Sequence, residues 1–164
     1  MSTLITTTVQ GVQNIKYDGS TTAMTIDSSG RVVSPARPAF MARRTSNQAT
    51  GVIIFDTAVV NQGSHYDTST GKFTAPVAGI YSFSTVVLSN NDSADAYFRS
   101  EIHINGTSYA VSQGYTYLDN DFGSSFSTVA SLSANDYVQV VAVTAPVYGS
   151  GNTNYTHFSG FLIG

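Results

Sequence analysis

The residues of this chain that could carry out chemistry are few and widely spaced. Its three histidines, His65, His103 and His157, are too far apart in sequence to form a local metal-binding motif. The sequence contains no Gly-x-Ser-x-Gly elbow and no cysteine nucleophile. We therefore predict that the protein is not an enzyme, with no catalytic residues and no metal site built on histidine.

Two pairs of carboxylates lie close together in sequence, Asp92 with Asp95 and Asp119 with Asp121. Both pairs fall in polar stretches that are typical of loops. The oxygens around residues 119–121 could bind calcium, but the stretch lacks the glycine and the bidentate glutamate of an EF-hand loop. A solvated loop is the simpler interpretation. We expect no cofactor, and calcium at Asp119 and Asp121 stays open as an alternative.

The composition excludes several classes of partner. Net charge is -3 and charged residues make up 10% of the chain, whereas a nucleic-acid-binding surface is normally basic. No apolar run approaches the ~20 residues that a membrane helix needs, and no basic segment followed by an apolar one opens the chain. We expect no nucleic-acid partner, no membrane insertion and no secretory signal. The lack of cysteine fits folding in a reducing cytoplasm.

Residues 1–37 differ from the rest of the chain because their apolar residues are sparse. Asp27-Ser28-Ser29-Gly30 lies between two short apolar runs and predicts a small hairpin. A segment of this size buries little surface alone, so we expect it to be ordered by copies of itself or by a partner. We interpret residues 1–37 as an extended, partly β anchoring arm that precedes a head at 38–164.

From residue 38 onward the sequence predicts strands and turns. Gly79–Leu88 is a β-branched and aromatic run, and Phe98–Ile104 alternates apolar with polar side chains. Asn105-Gly106 follows as a strong hairpin signal. No segment holds a period of 3.6 residues, so we expect no substantial helix. The head is predicted to be all-β, as a sandwich or a barrel.

Three ordered stretches of the head resemble the globular head of complement C1q, a relative of tumour necrosis factor. The resemblance covers about residues 39–164, and PAFMARR at 38–44 resembles the opening strand of that family. The matching positions are Tyr66, Asp67, Thr70, Gly71, Phe73, Pro76, Gly79, Tyr81 and Phe83, then Leu132, Asp136 and Val138, then Phe158, Ser159, Gly160, Phe161 and Leu162.

The resemblance implies a ten-stranded jelly roll that assembles as a homotrimer. It also implies that inner-sheet side chains pack between protomers. The alternative is that the same side chains fill the core of one protomer, and alternation along a strand allows both. The expected interface residues are Phe40, Tyr81, Phe83, Phe158 and Phe161.

The arm lacks the collagen repeat that precedes such heads in animals. Its stretch TTAMTIDSSGRVVSPARPAF instead resembles segments of structural proteins from tailed bacteriophages, notably cyanophages. This resemblance implies a virion structural protein that is assembled in the cytoplasm of a bacterial host and exposed on the virion surface.

Two mountings on the virion follow as hypotheses, and a secreted recognition module of the animal type is disfavoured. In the first, the protein is a capsid decoration or cement protein whose arm clamps neighbouring subunits. Its basic cluster would dock on another virion protein, or would simply aid solubility; it consists of Arg31, Arg37, Arg43 and Arg44.

In the second hypothesis the protein is the receptor-binding tip of a tail or capsid fibre, with host-surface glycan as its partner. Loops rich in tyrosine and small polar residues motivate this alternative, because tyrosine offers a large contact area with few torsions to freeze. The expected ligand residues are Tyr115, Tyr117, Tyr148 and Asn152.

Overall fold

The computed structural model describes residues 13–16, 19–20, 22–90, 96–116, 122–151 and 153–164. The chain divides into two compact units, Met1–Arg37 and Pro38–Gly164. We call the first unit the arm and the second the head. Within the described residues the secondary structure is entirely strands and turns, without a helix.

The described part of the arm is a three-stranded antiparallel sheet of β1 (Asn14–Lys16), β2 (Thr22–Ile26) and β3 (Val32–Val33). The turn between β2 and β3 is held by Asp27, whose Oδ1 accepts the backbone N–H groups of Ser29 at 2.9 Å and Arg31 at 3.0 Å. Gly30 supplies the positive φ that the turn requires, 77°. The hairpin predicted from the sequence is therefore confirmed.

The described part of the head contains eleven strands. They are β4 (Ala39–Arg43), β5 (Gly51–Val52), β6 (Thr57–Gln62), β7 (Tyr66–Asp67), β8 (Lys72–Thr74), β9 (Gly79–Leu88), β10 (Ala96–Ile104), β11 (Thr107–Thr116), β12 (Gly123–Leu132), β13 (Tyr137–Ala142) and β14 (His157–Leu162).

These strands form two antiparallel sheets that face each other as a jelly-roll sandwich. One sheet has the order β12-β9-β14-β4-β6, and the other has the order β11-β10-β13-β8-β7. The first and last strands of the head, β4 and β14, are neighbours. The predicted all-β jelly roll is confirmed. The head has one strand more than the expected ten. The extra strand is β5, whose two residues pair with the end of β13.

The turn between β10 and β11 shows how local sequence sets strand register. Asn105 and Gly106 both have positive φ, 51° and 80°, which is the geometry of the two-residue hairpin that this dipeptide favours. The register then continues to Ala96 opposite Thr116, with one irregularity after Ile102. A turn of two residues thus positions the two long strands at the edge of this sheet.

Aromatic rings fill the space between the two sheets. Phe40 stacks on Tyr66 and on Phe73 at ring distances of 4.9 and 4.8 Å, and its edge meets Phe158 at 4.9 Å. Phe83 lies 5.9 Å from Phe158 and 5.7 Å from Phe73. Such pairs contribute about 0.5–1.5 kcal/mol each beyond the burial of their area. The cluster joins both sheets and forms the centre of the core.

The turn after β7 is organised by the side chain of Asp67. Its carboxylate accepts the hydroxyl and the backbone N–H of Ser69 at 2.7 and 2.8 Å, and the hydroxyl of Thr70 at 2.9 Å. These donors, those of Ser69 first, lower the pKa of Asp67 to about 2. Gly71 closes the turn with φ 70°, and a methyl group there would lie 2.5 Å from the carbonyl oxygen of Ile53.

Gly160 is predicted to be intolerant of any side chain, because the aromatic cluster occupies the space above it. A methyl group on Gly160 would lie 2.5 Å from Phe83 Cδ1 and 2.8 Å from Phe40 Cε1. We expect Gly160→Ala to lower the free energy of unfolding by about 1–3 kcal/mol through overpacking, measured by denaturant titration. Gly151→Ala is the control, since nothing lies within 4 Å of a methyl group there. Equal stabilities of the two variants would contradict this packing.

Asp67 is predicted to make head stability depend on pH in the acid range. Because its pKa is depressed to about 2, its contribution is full above the unfolded value near 3.8 and is lost as the pH falls towards 2. Asp67→Asn should therefore melt at a lower temperature than the wild type at pH 5, and the gap should close by pH 2. Thermal melting monitored by circular dichroism checks this. A gap that stays constant across that range would argue against the assignment.

Candidate assembly surface

The sheet formed by β12, β9, β14, β4 and β6 has two faces of very different composition. Along β9 the side chains of Tyr81, Phe83 and Val87 are fully buried and point to the core. The residues between them face outward, and the same alternation holds in β12, β14 and β4. The strand register then defines which outward residues lie side by side across the sheet.

Two adjacent rows of outward residues cross the whole sheet. One row is Val129, Ser82, Phe161, Ala39 and Gln62. The next row is Ser127, Ser84, Ser159, Met41 and Val60. We call these ten residues the assembly face.

The assembly face carries no charged side chain among its ten residues. Five of them are apolar, four are serines and one is glutamine. Its largest apolar side chains remain accessible in the single chain, with 50% of Phe161, 53% of Val129 and 48% of Val60 exposed. Sheet surfaces that stay in water normally carry charges that oppose association. An uncharged and partly apolar sheet face is typical of a surface that another chain covers.

A second exposed apolar area lies at the rim where the edge strands β11 and β12 meet. The hydroxyl of Tyr109 on β11 donates a hydrogen bond to the carbonyl oxygen of Val129 on β12 at 3.0 Å, so this side chain bridges the two edges. Tyr109 is 51% exposed. We call Tyr109 and Val129 the rim patch. It is continuous with the assembly face because Val129 belongs to both.

One side of the assembly face is bordered by a third row that contains His157, Arg43 and Thr57. The Nε atom of Arg43 is buried and has no hydrogen-bond partner in the part of the chain that the structure describes. His157 lies directly opposite Arg43 on the neighbouring strand, and its Nδ1 is 2.7 Å from the carbonyl oxygen of Asn154. A buried guanidinium donor without an acceptor is costly, so this position calls for a partner.

The outer face of the other sheet has the opposite character. Glu101 on β10 is 5% exposed, and its carboxylate contacts Nη2 of Arg99 at 2.5 Å and Nε2 of His103 at 2.7 Å. Burial acts to raise the pKa of Glu101, but the hydrogen bonds from Ser108 and His103 and the charge of Arg99 outweigh it, and the pKa is lowered. This face carries ion pairs around a buried carboxylate, and the Nε of Arg99, like that of Arg43, has no hydrogen-bond partner among the described residues.

The expected interface aromatics do not lie where the resemblance implied. Tyr81, Phe83 and Phe158 have no exposed area, and Phe40 is 4% exposed, all inside one protomer. These four rings fill the core between the two sheets, so they have no surface left for a second chain, and the expectation is corrected for them. Phe161 differs because the alternation along β14 turns its ring outward, onto the assembly face.

The four arginines of the predicted docking cluster have different surroundings. Arg44 is bound within the head, because its guanidinium donates to the carbonyl oxygens of Ser46 at 2.7 Å and Ile54 at 3.0 Å, and pairs with Asp56 at 3.2 Å. These contacts occupy much of its guanidinium within its own chain, and its docking on a partner stays a prediction. Arg31 pairs with Asp27 but keeps 78% of its side chain exposed. Arg37 lies at the end of the arm, and Arg43 borders the assembly face.

The predicted ligand tyrosines are not grouped in one loop. Tyr115 lies on strand β11, directly opposite Tyr97, so the loop expected at residues 112–117 is a strand as far as Thr116. The two rings are 47% and 41% exposed. Tyr148 lies between β13 and β14, where its ring meets that of Tyr155 at 6.0 Å. Tyr117 and Asn152 lie outside the described residues.

The two close carboxylate pairs, Asp92 with Asp95 and the calcium candidate Asp119 with Asp121, also lie outside the described residues. Within the described ranges, no group of three or more histidines and carboxylates comes together as a metal site. The described part of the chain contains no helix long and apolar enough to cross a membrane.

Sequence reasoning missed most of the assembly face. The sequence does not distinguish most of these positions from other strand residues. They are Ser82, Ser84, Met41, Val60 and Val129. The signal that could have found them is the run SSFSTVAS in β12 with GIYSFS in β9. In both runs the outward positions alternate with core positions and are occupied by serine, valine or isoleucine rather than by charged residues.

Two relatives of known identity match the head. The complement C1q tumor necrosis factor-related protein 3 of Homo sapiens is 30% identical over 125 residues, which make up 76% of this chain and 49% of that protein. The protein of the same name from Mus musculus gives the same identity and coverage. The chain therefore spans about half the length of these relatives.

Solved structures share the fold at lower identity. The globular domain of zebrafish complement 1qA has a TM-score of 0.62 and 20% identity, over 77% of this chain and 98% of that one. Eiger TNF from S. frugiperda also has a TM-score of 0.62, at 8% identity over 79% of this chain and 94% of that one. Murine APRIL at pH 5.0 has a TM-score of 0.60 and 13% identity, over 77% and 98%.

The family model of the C1q domain matches residues 39–163. The matched range begins with β4 and ends just after β14, so it covers both sheets, the aromatic core and the assembly face. The arm lies outside it. By this match and by its jelly-roll architecture, the chain belongs to the C1q domain family.

Proposed function

We propose that this protein is a structural protein of a tailed-phage virion that assembles through its head into a homotrimer and decorates the capsid surface. In this role it presents a surface and catalyses no reaction. The observation that carries the assembly step is the uncharged assembly face, which is accessible in the single chain and whose outward residues are apolar or serine. Folds of the C1q and TNF type form homotrimers, which supports the same step.

The shape of the apolar surface favours a closed ring over a simple pair. A twofold contact uses the same patch on both chains, whereas a ring uses two different patches, each meeting the other on the next chain. The head offers the assembly face and, at its edge, the rim patch of Tyr109 and Val129, so the apolar surface extends from the face onto the rim. We infer that the rim patch of one protomer packs on the assembly face of the next and that three copies close the ring.

The unsatisfied Arg43 supports an inter-chain contact at the border of this interface. Its Nε lacks an acceptor among the described residues of its own chain. A carbonyl or carboxylate oxygen from the neighbouring protomer would satisfy it. The hydrogen bond of a charged donor contributes about 1.5–3 kcal/mol. This contact would also fix the position of one protomer's rim patch on the assembly face of the next.

The arm supports the mounting on a virion. Its stretch at residues 21–40 resembles segments of tailed-phage structural proteins, and the C1q family match begins only at residue 39. Since Arg44 is bound within the head and Arg43 borders the assembly face, we assign the docking on an acidic virion protein to the arm residues Arg31 and Arg37. Arg31 keeps 78% of its side chain exposed even while paired with Asp27.

A second candidate is the receptor-binding tip of a fibre that recognises host-surface glycan. The observation that favours it is the cross-strand pair Tyr97 and Tyr115, whose rings are 41% and 47% exposed on the outer face of the β10–β11 edge. Aromatic rings side by side suit the apolar faces of sugars, and tyrosines lose little entropy on binding.

The trimer is tested by charging the assembly face. We expect the wild type to sediment as a trimer at micromolar concentration. Val129→Asp should weaken association by at least about a hundredfold, because a buried unpaired carboxylate costs several kcal/mol. Sedimentation equilibrium measures the change.

Val143→Asp is the matched control for this test, since Val143 is 42% exposed and follows β13 on the outer face of the other sheet. It should leave the trimer intact. If the wild type stays monomeric, or if the two variants dissociate equally, the assembly face does not mediate association.

The mounting is tested on purified virions. Antibody raised against the head should label the capsid shell in electron micrographs, with three heads at each site in an averaged reconstruction. Label confined to the tail would overturn the decoration role. That outcome, together with binding of the recombinant head to host-surface glycan, would favour the fibre-tip candidate instead.

A further inference from the structure

The arm sheet separates its side chains into an apolar face and a more polar one. Ile15 is paired with Met24 across β1 and β2, and Ile26 is paired with Val32 across β2 and β3. Directly opposite residues share a face, and so do residues two apart in a strand. Ile15, Met24, Ile26 and Val32 therefore lie on one face of the sheet, which we call the apolar arm face.

The opposite face carries Asn14, Thr25 and Val33, which are paired in the same way. The hydroxyl of Thr25 donates to Oδ1 of Asn14 at 2.8 Å, so two of these three side chains satisfy each other. The turn at Asp27 and Gly30 prevents a slip of register that would exchange the two faces. The division into an apolar and a more polar face is thus built into the hairpin.

The apolar arm face is incompletely covered in the single chain. Val32 is 61% exposed and Ile15 is 48% exposed, while Met24 and Ile26 are half-buried. Strands of two to five residues are marginal without an apolar face packed against something. None of the four residues carries a charge, so an apolar partner suits this face and a charged lattice surface does not.

We propose that the apolar arm faces of three copies pack against one another, so that the arms form a second threefold contact beside that of the heads. This inference rests on the proposed homotrimer. Five residues, 34–38, separate β3 from β4, and a chain of that length extends at most about 18 Å. Because β4 contributes Ala39 and Met41 to the assembly face, three trimerised heads tether three identical arms close together.

Because the trimerised heads tether the arms, the arm of a second copy is the favoured partner for the apolar arm face. Short linkers raise the effective concentration of the tethered partners to the millimolar range. Weak faces that would not associate as separate peptides can then pack as part of one trimer. In the resulting arrangement Val32 of each copy points to the threefold axis, and the neighbouring Val33 points away from it.

Single cysteines test this arrangement, because the chain has none of its own. The full chain carrying Val32→Cys is compared with Val33→Cys, one residue away on the other face. After oxidation with oxidised glutathione, Val32→Cys should form disulfide-linked dimers at least about tenfold faster. Dimers should plateau at about two-thirds of the chains, since three thiols at one axis form one disulfide and leave one thiol over.

The outcomes separate this inference from the proposed trimer. A wild type that sediments as a monomer overturns both. A stable trimer in which the two cysteine variants cross-link at equal, slow rates overturns only the packing of the arms.

A second pair of variants guards against a cysteine that perturbs the arm. Trypsin can cut the arm after Lys16 and after Arg31, but not after Arg37, which precedes a proline. In the trimer, Val32→Asp should speed these cuts by about tenfold, because a charge on the apolar arm face separates the arms. Val33→Asp should leave them near the wild-type rate. Equal acceleration by both variants would contradict the assignment of the two faces.

Discussion

The structure of the head depends on the packing of aromatic rings between its two sheets. Phe40, Phe73, Phe83 and Phe158 approach one another to ring distances of 4.8–5.9 Å. These closely packed rings leave no space for a side chain at position 160, and this is why Gly160 must be glycine. Because each ring comes from a different strand, the cluster fixes how the two sheets face each other.

The same cluster determines what the outside of the sheet is made of. Strand alternation sends every second residue outward once the rings point inward. In the two rows of the assembly face the outward residues of β9, β12, β14 and β4 are serines and apolar side chains, and Arg43 and His157 border these rows. The two sheets thus have unlike outer surfaces. One carries the ion pairs of Glu101 with Arg99 and His103, and the other presents the assembly face.

Arginine side chains illustrate how neighbouring positions acquire different roles. The guanidinium of Arg44 donates hydrogen bonds to carbonyl oxygens and pairs with Asp56, so it stabilises the segment after β4. Arg43, the last residue of β4, has no acceptor for its Nε among the described residues. The physical difference is that Arg43 is still part of the strand, whereas Arg44 begins the following segment, whose carbonyl oxygens its guanidinium can reach.

The sequence by itself determined the all-β jelly roll, the hairpin at Asp27–Gly30 and the turn at Asn105-Gly106. Those features depend on local periodicity, on residues that accept positive φ, and on an ordered set of family positions. The tertiary structure alone decided which aromatic rings fill the core, which arginine is bound internally, and that Tyr115 lies on a strand.

These assignments depend on pairing between residues far apart in the chain. Phe161 and Phe158 are equally apolar and only three positions apart, yet one faces outward and the other is buried, because the register of β14 with β9 and β4 decides which face each side chain takes. The composition of a strand reveals that it has two faces. Only its neighbours determine which of them is covered.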